Sequence, residues 1–336
     1  MRLIAARLVS AAPTLIGVVL VAFALTRLLP GDPAAYIAGP AATSASIEEI
    51  RHHLGLDKPV IEQLFIYVRA LAHGDLGMSL TSGQPVLDDL RHRLPASLEL
   101  TFYALALAIG VGVPLGVGAA LRPRGLVDRI CNLVSTFGQA TPTFFLGLLL
   151  VFVFYYELGW APAPLGRLDV VYASPTEITG FWTIDAALAG DGSTLAQVAA
   201  QLVLPSVTLG LFGLGPLARV TRAAMIEALA SDYIRTARAA GLSPRKVLWS
   251  YAFRNAVLPV LNASSVVFSY MLGASVLVEK VFGWPGVGAY AIDAVLASDF
   301  APVQGFVVAM ALLYLAMNLI IDVIAGLLDP TVRFDV

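Results

Sequence analysis

Long apolar runs with almost no charge recur along the sequence and restrict the folds open to it. A helix rises about 1.5 Å per residue, so about 20 residues cross the hydrocarbon core of a bilayer. Lipid cannot satisfy exposed backbone N–H and C=O groups, so each crossing segment must be helical. The runs therefore predict an all-α polytopic membrane protein with six transmembrane helices. These are Leu8–Leu29, Leu98–Leu121, Leu133–Tyr156, Gln201–Val220, Val257–Val278 and Val303–Leu327.

The composition of the chain supports a membrane location. Of its 336 residues, 58% are hydrophobic and 13% are charged, whereas soluble domains carry about 25% charged residues. A chain this apolar needs lipid around it, so membrane lipid is a predicted partner. The net charge of −2 gives no reason to expect nucleic acid as a partner. The single cysteine, Cys131, excludes an intramolecular disulfide.

Basic residues in the short connections predict that both termini are cytoplasmic, because Lys and Arg are enriched on that side of a membrane. The segment 157–200 carries Arg167 against five acidic residues, which is typical of an outer loop. The segment 30–97 does contain basic residues, but long loops cross the membrane largely regardless of charge. Apart from those of a loop at 221–256, the basic residues assigned to the cytoplasm are Arg2, Arg7, Arg122, Arg124, Arg129 and Arg333.

The chain is predicted to have three parts. Residues 1–29 form an N-terminal segment and the first helix, whose apolar run is longer than that of a cleaved signal peptide. Residues 30–97 form a first periplasmic loop, in which the helical spacing of Ile61, Leu64 and Val68 predicts short helices. Residues 98–336 form the core, with five helices, a periplasmic loop at 157–200 and a cytoplasmic loop at 221–256.

Two motifs of catalytic sites are missing from the sequence. A zinc protease would need His-Glu-x-x-His on a helix, but none of the four histidines lies in an apolar run. A phosphate-binding loop of the Gly-x4-Gly-Lys-Ser/Thr type is also missing, since no lysine follows a glycine. The chain is therefore predicted not to be an enzyme, and to have no catalytic residue, cofactor site or metal site of its own.

The interiors of the apolar runs hold almost no ionisable residues. Proton- and ion-coupled transporters usually keep such groups at mid-membrane. Asp322 lies toward the inner end of the last run, where an interfacial position is the favoured interpretation. These runs suit a solute path whose energy is supplied from elsewhere, and a secondary transporter or a channel is the less favoured alternative.

A basic, helix-forming insert interrupts the apolar pattern at residues 234–259. Helix-favouring residues predict one helix from Arg219 to Ala240. Gly241 is suited to the left-handed position that ends a helix. Ser243 can cap the next helix through its hydroxyl, and Pro244 suits the first helical position, where its missing N–H costs nothing.

The second helix of the insert, about Pro244 to Phe253, is predicted to be short and amphipathic. Val247, Leu248 and Tyr251 fall on one side, and Arg245 and Lys246 face elsewhere. Such a helix could lie on lipid headgroups as part of a cytoplasmic loop. For a membrane protein in general this is the favoured interpretation. The alternative is that the helix docks its apolar side in a groove of a cytoplasmic partner, with basic residues at the rim. Periodicity alone does not decide between the two interpretations.

Several separated motifs, in order along the chain, resemble permease subunits of binding-protein-dependent ABC importers of the dipeptide/oligopeptide/nickel branch. The wider superfamily has Glu-Ala-Ala at the start of this loop, and here Arg235, Thr236 and Ala237 occupy those places, as is usual in the peptide branch. The similar stretches are Leu29–Pro33, His73–Gly77, Asp232–Leu242, Arg254–Ala256 with Pro259, Phe282–Gly288 and Val303–Gly305.

The resemblance implies the type I ABC importer permease architecture in the bacterial inner (cytoplasmic) membrane. The short helix of the insert would be a coupling helix seated in a cleft of a cytoplasmic ATPase. The implied partners are a second, non-identical permease, two ATPase subunits that bind ATP and Mg²⁺, and a periplasmic or lipid-anchored solute-binding protein. Dipeptides or oligopeptides are the favoured solutes, with glutathione, nickel complexes or oligosaccharides as alternatives.

The resemblance also assigns candidate residues. The ATPase-coupling loop comprises Arg235, Thr236, Ala237, Arg238, Ala239, Gly241, Ser243, Pro244, Val247, Leu248, Tyr251, Arg254 and Asn255. Polar residues in the third and fifth runs are candidates for lining the pore, and bonding between helices is the alternative. They are Gln139, Thr141, Thr143, Asn262, Ser264, Ser265 and Ser269. Gly210, Gly213, Gly215 and Pro216 could bend the fourth helix or allow close helix packing.

Overall fold

The computed structural model describes residues 12–24, 33–39, 42–53 and 55–328. Within these residues the secondary structure is helical, and extended pairing is confined to one isolated bridge between Met78 and Pro85. The prediction of an all-α protein is confirmed. The short helices predicted between residues 30 and 97 are present as well.

The described helices are numbered in chain order. They are α1 (Ala12–Ala24), α2 (Pro33–Ala38), α3 (Ser44–His53), α4 (Val60–Ala72), α5 (Val86–Leu121), α6 (Leu126–Ala140), α7 (Thr143–Leu150), α8 (Trp182–Leu188), α9 (Gly192–Ala230), α10 (Asp232–Ala239), α11 (Pro244–Lys246), α12 (Arg254–Val281), α13 (Val287–Leu296) and α14 (Phe300–Leu328). Helices α7 and α11 continue as π-helical segments, Val151–Glu157 and Val247–Phe253.

Four helical stretches of the described chain are long and apolar enough to cross a membrane. They are Val86–Leu121, Gly192–Ala230, Pro244–Val281 and Phe300–Ile321. The pair α6 and α7 makes a fifth if the two helices together form one span. The first predicted span, Leu8–Leu29, lies partly outside the described residues, and α1 is the part that is described. The chain is therefore a multi-pass membrane protein, and the number six and the side of each terminus stay predictions.

The third predicted span, Leu133–Tyr156, is wrong as a single straight helix. The axes of Leu126–Ala140 and Thr143–Glu157 differ by 105°. The cause is Pro142, whose ring disfavours helical backbone at the preceding residue and which has no N–H to continue the hydrogen-bond ladder. Thr141 is accordingly extended, with φ −92° and ψ 125°. An interior proline therefore divides this span near its middle.

Helix α9 begins at Gly192, inside the range 157–200 that the sequence assigns to a loop. Its N-cap is Asp191, whose carboxylate accepts hydrogen bonds from the backbone N–H of Ser193 at 3.1 Å and of Thr194 at 3.0 Å. The Thr194 N–H, followed by the Ser193 hydroxyl, lowers the pKa of Asp191 to about 2. The carboxylate is ionised at neutral pH and holds the first turn of α9 in place.

The described chain divides into two compact units. One comprises Met1–Pro95 and Pro285–Ala316. Its core contains the buried side chains of Val86, Leu90, Val287 and Tyr290. Asp299 is fully buried in this unit, where one carboxylate oxygen accepts hydrogen bonds from Ser79, Leu80 and Thr81.

The other unit comprises Ala96–Trp284 and Met317–Val336, and its long helices pack at glycines. A Cβ atom on Gly138 of α6 would lie 2.5 Å from the carbonyl oxygen of Leu211 in α9. A Cβ on Gly215 of α9 would lie 2.9 Å from the backbone of Ser135. Small residues thus let the backbones of α6 and α9 come into direct contact.

The glycines proposed as hinges in the fourth span lie in such packed positions. A Cβ on Gly210 would lie 2.8 Å from Leu107, and one on Gly213 would lie 2.9 Å from Val267. Helix α9 also continues without a break through Pro216. The structure therefore favours close packing over bending for these residues.

The segment 158–181 is anchored to this unit by a buried ion pair. Arg167 donates to Glu99 at 2.5 Å and to the carbonyl oxygen of Gly180 at 2.8 Å. The second oxygen of Glu99 accepts from the backbone N–H of Thr183 at 2.8 Å and from its hydroxyl at 2.6 Å. The Arg167 guanidinium also lies over the ring of Trp182, at 4.2 Å. The segment is therefore an ordered cap.

Candidate functional site

The loop that the sequence assigns to ATPase coupling is built from α10, a glycine turn and α11 with its π-helical continuation. The single helix predicted from Arg219 to Ala240 is wrong, because Ser231 is extended at φ −71° and ψ 156° and separates α9 from α10. Its hydroxyl donates to the carbonyl oxygen of Ala228 at 2.6 Å. Serine often bonds nearby backbone in this way and then ends a helix.

Gly241 ends α10 in the left-handed conformation that the sequence predicts, with φ +76°. The Gly241 N–H donates to the carbonyl oxygen of Arg238 at 3.0 Å. The Leu242 N–H donates to the carbonyl oxygen of Ala237 at 3.3 Å. These two bonds form a Schellman motif, which satisfies carbonyl groups that the helix leaves free. The turn directs the chain from α10 into α11.

Replacing Gly241 with valine is expected to lower the stability of this turn by about 1–2 kcal/mol, because a β-branched side chain disfavours positive φ. Among the described residues, apart from its two chain neighbours, no atom lies within 4 Å of the position of the missing Cβ, so the cost is in the backbone and not in a clash. Asparagine tolerates this conformation, so Gly241→Asn is the matched control. Solute uptake by the assembled transporter should fall for the valine variant and stay near wild type for asparagine. Equal uptake by both variants would contradict the assignment.

Ser243 and Pro244 begin α11 as predicted. The Ser243 hydroxyl accepts from the N–H of Lys246 at 3.4 Å, and Pro244 occupies the start of the helix. The prediction of a separate short helix ending near Phe253 is wrong. Pro244–Val281 is one continuous helical run, because no residue between the π-helical segment and α12 stops the helix. Any movement of α11 is therefore carried directly into α12.

The inner face of this loop belongs to the core of the chain itself. Ile234 and Ala237 of α10 and Val247 of the π-helical segment are buried, with Val247 only 3% exposed. They pack with Met225 and Ala228 of α9, and Val117 and Ala120 of α5 lie in the same cluster. The coupling loop is thus tied to α5 and α9 by apolar contacts. Val247, predicted to face a partner, lies inside this cluster.

The outer face of the loop presents an aromatic side chain instead. Trp249 is 49% exposed and packs edge-on against Phe253, with ring centroids 5.3 Å apart. Leu248 and Tyr251 are half-buried, and both pack against the inner cluster. Trp249 is not among the residues predicted from the sequence, although an exposed tryptophan beside an apolar helix face is typical of an interface anchor.

A groove of about 490 Å³ opens beside Trp249. Arg238 and Arg245 are exposed and contribute to its wall. Within the described part of the chain, neither arginine forms an ion pair. The other lining residues are apolar, and they are Leu121, Leu229, Leu242, Pro244, Val247, Leu248 and Trp249. The groove therefore suits an apolar side chain flanked by carboxylates.

The remaining coupling-loop candidates lie in α10 and at the start of α12. Arg235 pairs with Asp232, one turn earlier in α10. The Thr236 hydroxyl donates to the backbone of Asp232 at 3.1 Å, and Asn255 donates to the carbonyl oxygen of Tyr251 at 2.7 Å. Ala239 and Arg254 are exposed. The structure thus brings the coupling-loop candidates together in one region, with their inner members in the apolar cluster.

The candidate pore residues differ in their exposure within this chain. Gln139 and Asn262 are exposed, Thr141 lies at the bend before Pro142, and Thr143 is buried. Ser264 and Ser269 donate to carbonyl oxygens four residues earlier in α12, at 2.8 Å and 3.0 Å.

Ser265 joins two helices, because its hydroxyl donates to the Asn318 side chain of α14 at 2.6 Å. The serine hydroxyls of α12 are therefore engaged in bonds within and between helices, which is the alternative interpretation given to these residues.

The sequence matches a known family of transport proteins along most of its length. The family described as "Binding-protein-dependent transport system inner membrane component" matches residues 112–334, and its N-terminal counterpart matches residues 1–101. The chain is 42% identical over 316 residues to the probable D,D-dipeptide transport system permease protein DdpB of Escherichia coli K12, covering 94% of this chain and 93% of that protein.

Two further relatives extend over nearly the whole chain. Identity is 40% to the di/tripeptide transport system permease protein DppB of Pseudomonas aeruginosa UCBPP-PA14, over 98% of each chain. It is 36% to the dipeptide transport system permease protein DppB of Escherichia coli K12, over 96% of this chain and 95% of that protein. The resemblance predicted from separated sequence motifs is confirmed.

Proposed function

Because this chain belongs to the inner membrane components of binding-protein-dependent transport systems, we propose that it is a permease subunit of an ATP-driven importer of dipeptides or short oligopeptides. The observation that carries the solute class is the identity of 36–42% to three permeases that are named for dipeptide or tripeptide transport. The chain is the non-catalytic membrane subunit of such an importer.

The importer requires partners that this chain does not supply. We assign it a second, non-identical permease, two cytoplasmic ATPases and a periplasmic or lipid-anchored binding protein. The ATPases bind ATP and Mg²⁺, and this chain holds no cofactor. The binding protein selects the solute, so the permease path needs little affinity of its own.

The proposed topology has six spans with both termini in the cytoplasm. Helices α5, α9, α12 with α11, and α14 are four of them, the bent pair α6–α7 is the fifth, and α1 lies in the first. The distribution of basic residues in the short connections supports this orientation. It places Trp249 and its groove on the cytoplasmic side, where ATPases bind.

The geometry of the loop supports a mechanism for coupling by alternating access. ATP binding brings the two ATPases together. The surface around Trp249, which is docked on one of them, moves with that ATPase. Val247 and Ile234 transmit this displacement to α9 through the apolar cluster. The continuous run Pro244–Val281 transmits it along α12. The two ends of the membrane region then open in turn.

Reconstitution of the complete importer in proteoliposomes tests the proposal. Dipeptide-loaded binding protein, supplied outside with ATP inside, should stimulate ATP hydrolysis and produce dipeptide accumulation. Binding protein without solute is the control. Glutathione, a nickel complex and an oligosaccharide should be taken up more slowly than dipeptides. Uptake by this chain without ATPases, driven by a proton or sodium gradient, would overturn the proposal.

A further inference from the structure

A bidentate ion pair joins the first turn of α6 to α9. Arg222 donates from Nε to one carboxylate oxygen of Asp128 at 2.6 Å and from Nη2 to the other at 3.1 Å. The Asp128 side chain is 5% exposed and that of Arg222 is 28% exposed. The planar guanidinium fork fixes the direction of both bonds, so the pair constrains rotation as well as distance.

The connection between α5 and α6 is also organised around this carboxylate. The backbone N–H of Arg124 donates to Asp128 at 2.7 Å, and Asn132 donates to it at 3.3 Å. Arg124 has φ +66°, which is uncommon for a residue other than glycine. Four donor groups, from Arg222 of α9, Arg124 of the turn 122–125 and Asn132 of α6, thus converge on one side chain.

Arg222 lies on α9 between the coupling loop and the packed glycines. Three residues later in α9, Met225 enters the apolar cluster that holds α10 and the π-helical segment. In the other direction, α9 meets α6 where Gly215 contacts Ser135 and where Gly138 contacts Leu211. Helix α6 then leads to the 105° bend at Pro142 and into α7.

We propose that Asp128 and Arg222 are positioning residues that carry the movement of the coupling loop into the bent helix pair α6–α7. This inference rests on the proposed function. Backbone contact at glycines keeps α6 and α9 close, and one neutral hydrogen bond crosses that contact, from the Ser135 hydroxyl to the carbonyl oxygen of Gly215 at 3.1 Å. A single neutral bond opposes sliding of the helices less than a bidentate, charged pair does. The bidentate pair fixes their register at the end nearest the coupling loop. Displacement of α9 by the ATPases therefore moves α6 and its bend.

The first test uses the reconstituted importer with Asp128→Asn, which keeps the side-chain size and an acceptor for Arg124 but removes the charge. ATPase association and ATP hydrolysis should remain, while dipeptide uptake per ATP hydrolysed falls by about tenfold, a usual size for a coupling effect. Arg222→Lys keeps the charge but loses the planar guanidinium fork. Its dipeptide uptake per ATP hydrolysed should therefore lie between those of the wild type and of Asp128→Asn. The matched control is Asp88→Asn, which removes one partner of an exposed ion pair with Arg91.

A second measurement needs no transport and therefore separates this inference from the proposed function. Cys131, the only cysteine of the chain, lies in α6 one turn after Asp128 and is 1% exposed. In the isolated chain, Asp128→Asn and Arg222→Lys should each increase the rate of Cys131 modification by a maleimide severalfold, and Asp88→Asn should leave it unchanged. The Asp128 carboxylate also disfavours the Cys131 thiolate, so Arg222→Lys, which keeps both charges, is the variant that separates helix movement from electrostatics. The melting temperature of each variant is recorded to detect loss of fold.

The outcomes distinguish the alternatives. Faster Cys131 modification with a reduced uptake ratio supports the positioning role. Wild-type modification rates in both Asp128→Asn and Arg222→Lys would overturn it, whether or not the wild-type complex imports dipeptide. A drop in melting temperature that lowers ATP hydrolysis and uptake in proportion would also overturn it, because the pair would then serve stability alone. If the wild-type complex imports no dipeptide but the Asp128 and Arg222 variants still show faster Cys131 modification, the result counts against the proposed function and not against the positioning role.

Discussion

Replacing Trp249 with aspartate is expected to abolish dipeptide uptake while leaving the membrane fold intact. The indole is 49% exposed and stands beside the groove on the outer face of the coupling loop, so the chain does not need it for its own core. Exposed tryptophans at interfaces are frequent anchors, and losing one costs about 2 kcal/mol or more, which is roughly a thirtyfold loss of affinity. Co-purification of the ATPases and dipeptide-stimulated ATP hydrolysis measure the effect.

The neighbouring residues provide the controls. Ser250→Asp adds the same charge one position along, at another exposed site of the π-helical segment, and should leave ATPase binding near wild type. Val247→Asp places the charge in the buried cluster and should lower the melting temperature, because an unpaired buried charge is costly. Normal ATPase binding by Trp249→Asp would exclude this residue from the docking surface.

The termini of the coupling-loop helices could be predicted from the sequence because they depend on local chemistry. Gly241 adopts positive φ, and Ser243 with Pro244 begins a helix, since each residue type suits that backbone position wherever it occurs. The break at Ser231 and the bend at Pro142 have local causes as well. Neither break appears in the predicted helices, because a long apolar run outweighs one interior proline or serine when spans are assigned by hydropathy.

Which side of an amphipathic helix faces a partner could not be read from its sequence. Val247 and Leu248 are both apolar, and the structure buries Val247 because Ile234, Ala237 and Met225 happen to lie opposite it. Periodicity identifies an apolar face but not its occupant. Long-range pairs such as Asp128 with Arg222 are 94 residues apart and depend on tertiary packing, for which one sequence carries no signal.

Replacing Glu99 with glutamine is expected to have the largest effect on stability. The variant keeps an acceptor for Thr183 but removes the counter-ion of Arg167, which is 4% exposed. Burial lowers the pKa of the Arg167 guanidinium, and Glu99 opposes this effect. Removing one partner of a buried ion pair costs about 3–5 kcal/mol, because the remaining charge has no compensation. The melting temperature in detergent should fall clearly.

The same variant should also loosen the segment 158–181, and proteolysis can show this directly. Arg167 is the only lysine or arginine in that segment, so trypsin reports on its exposure alone. The bond after Arg167 should resist trypsin in the wild type and become cleavable in Glu99→Gln. It should stay resistant in Glu157→Gln, which removes an exposed carboxylate just before the segment. Adding Arg167→Met to Glu99→Gln should recover much of the lost stability, because replacing both charges removes the uncompensated one. If the double variant melted below Glu99→Gln, packing of the guanidinium on Trp182, and not its charge, would be what holds the segment in place.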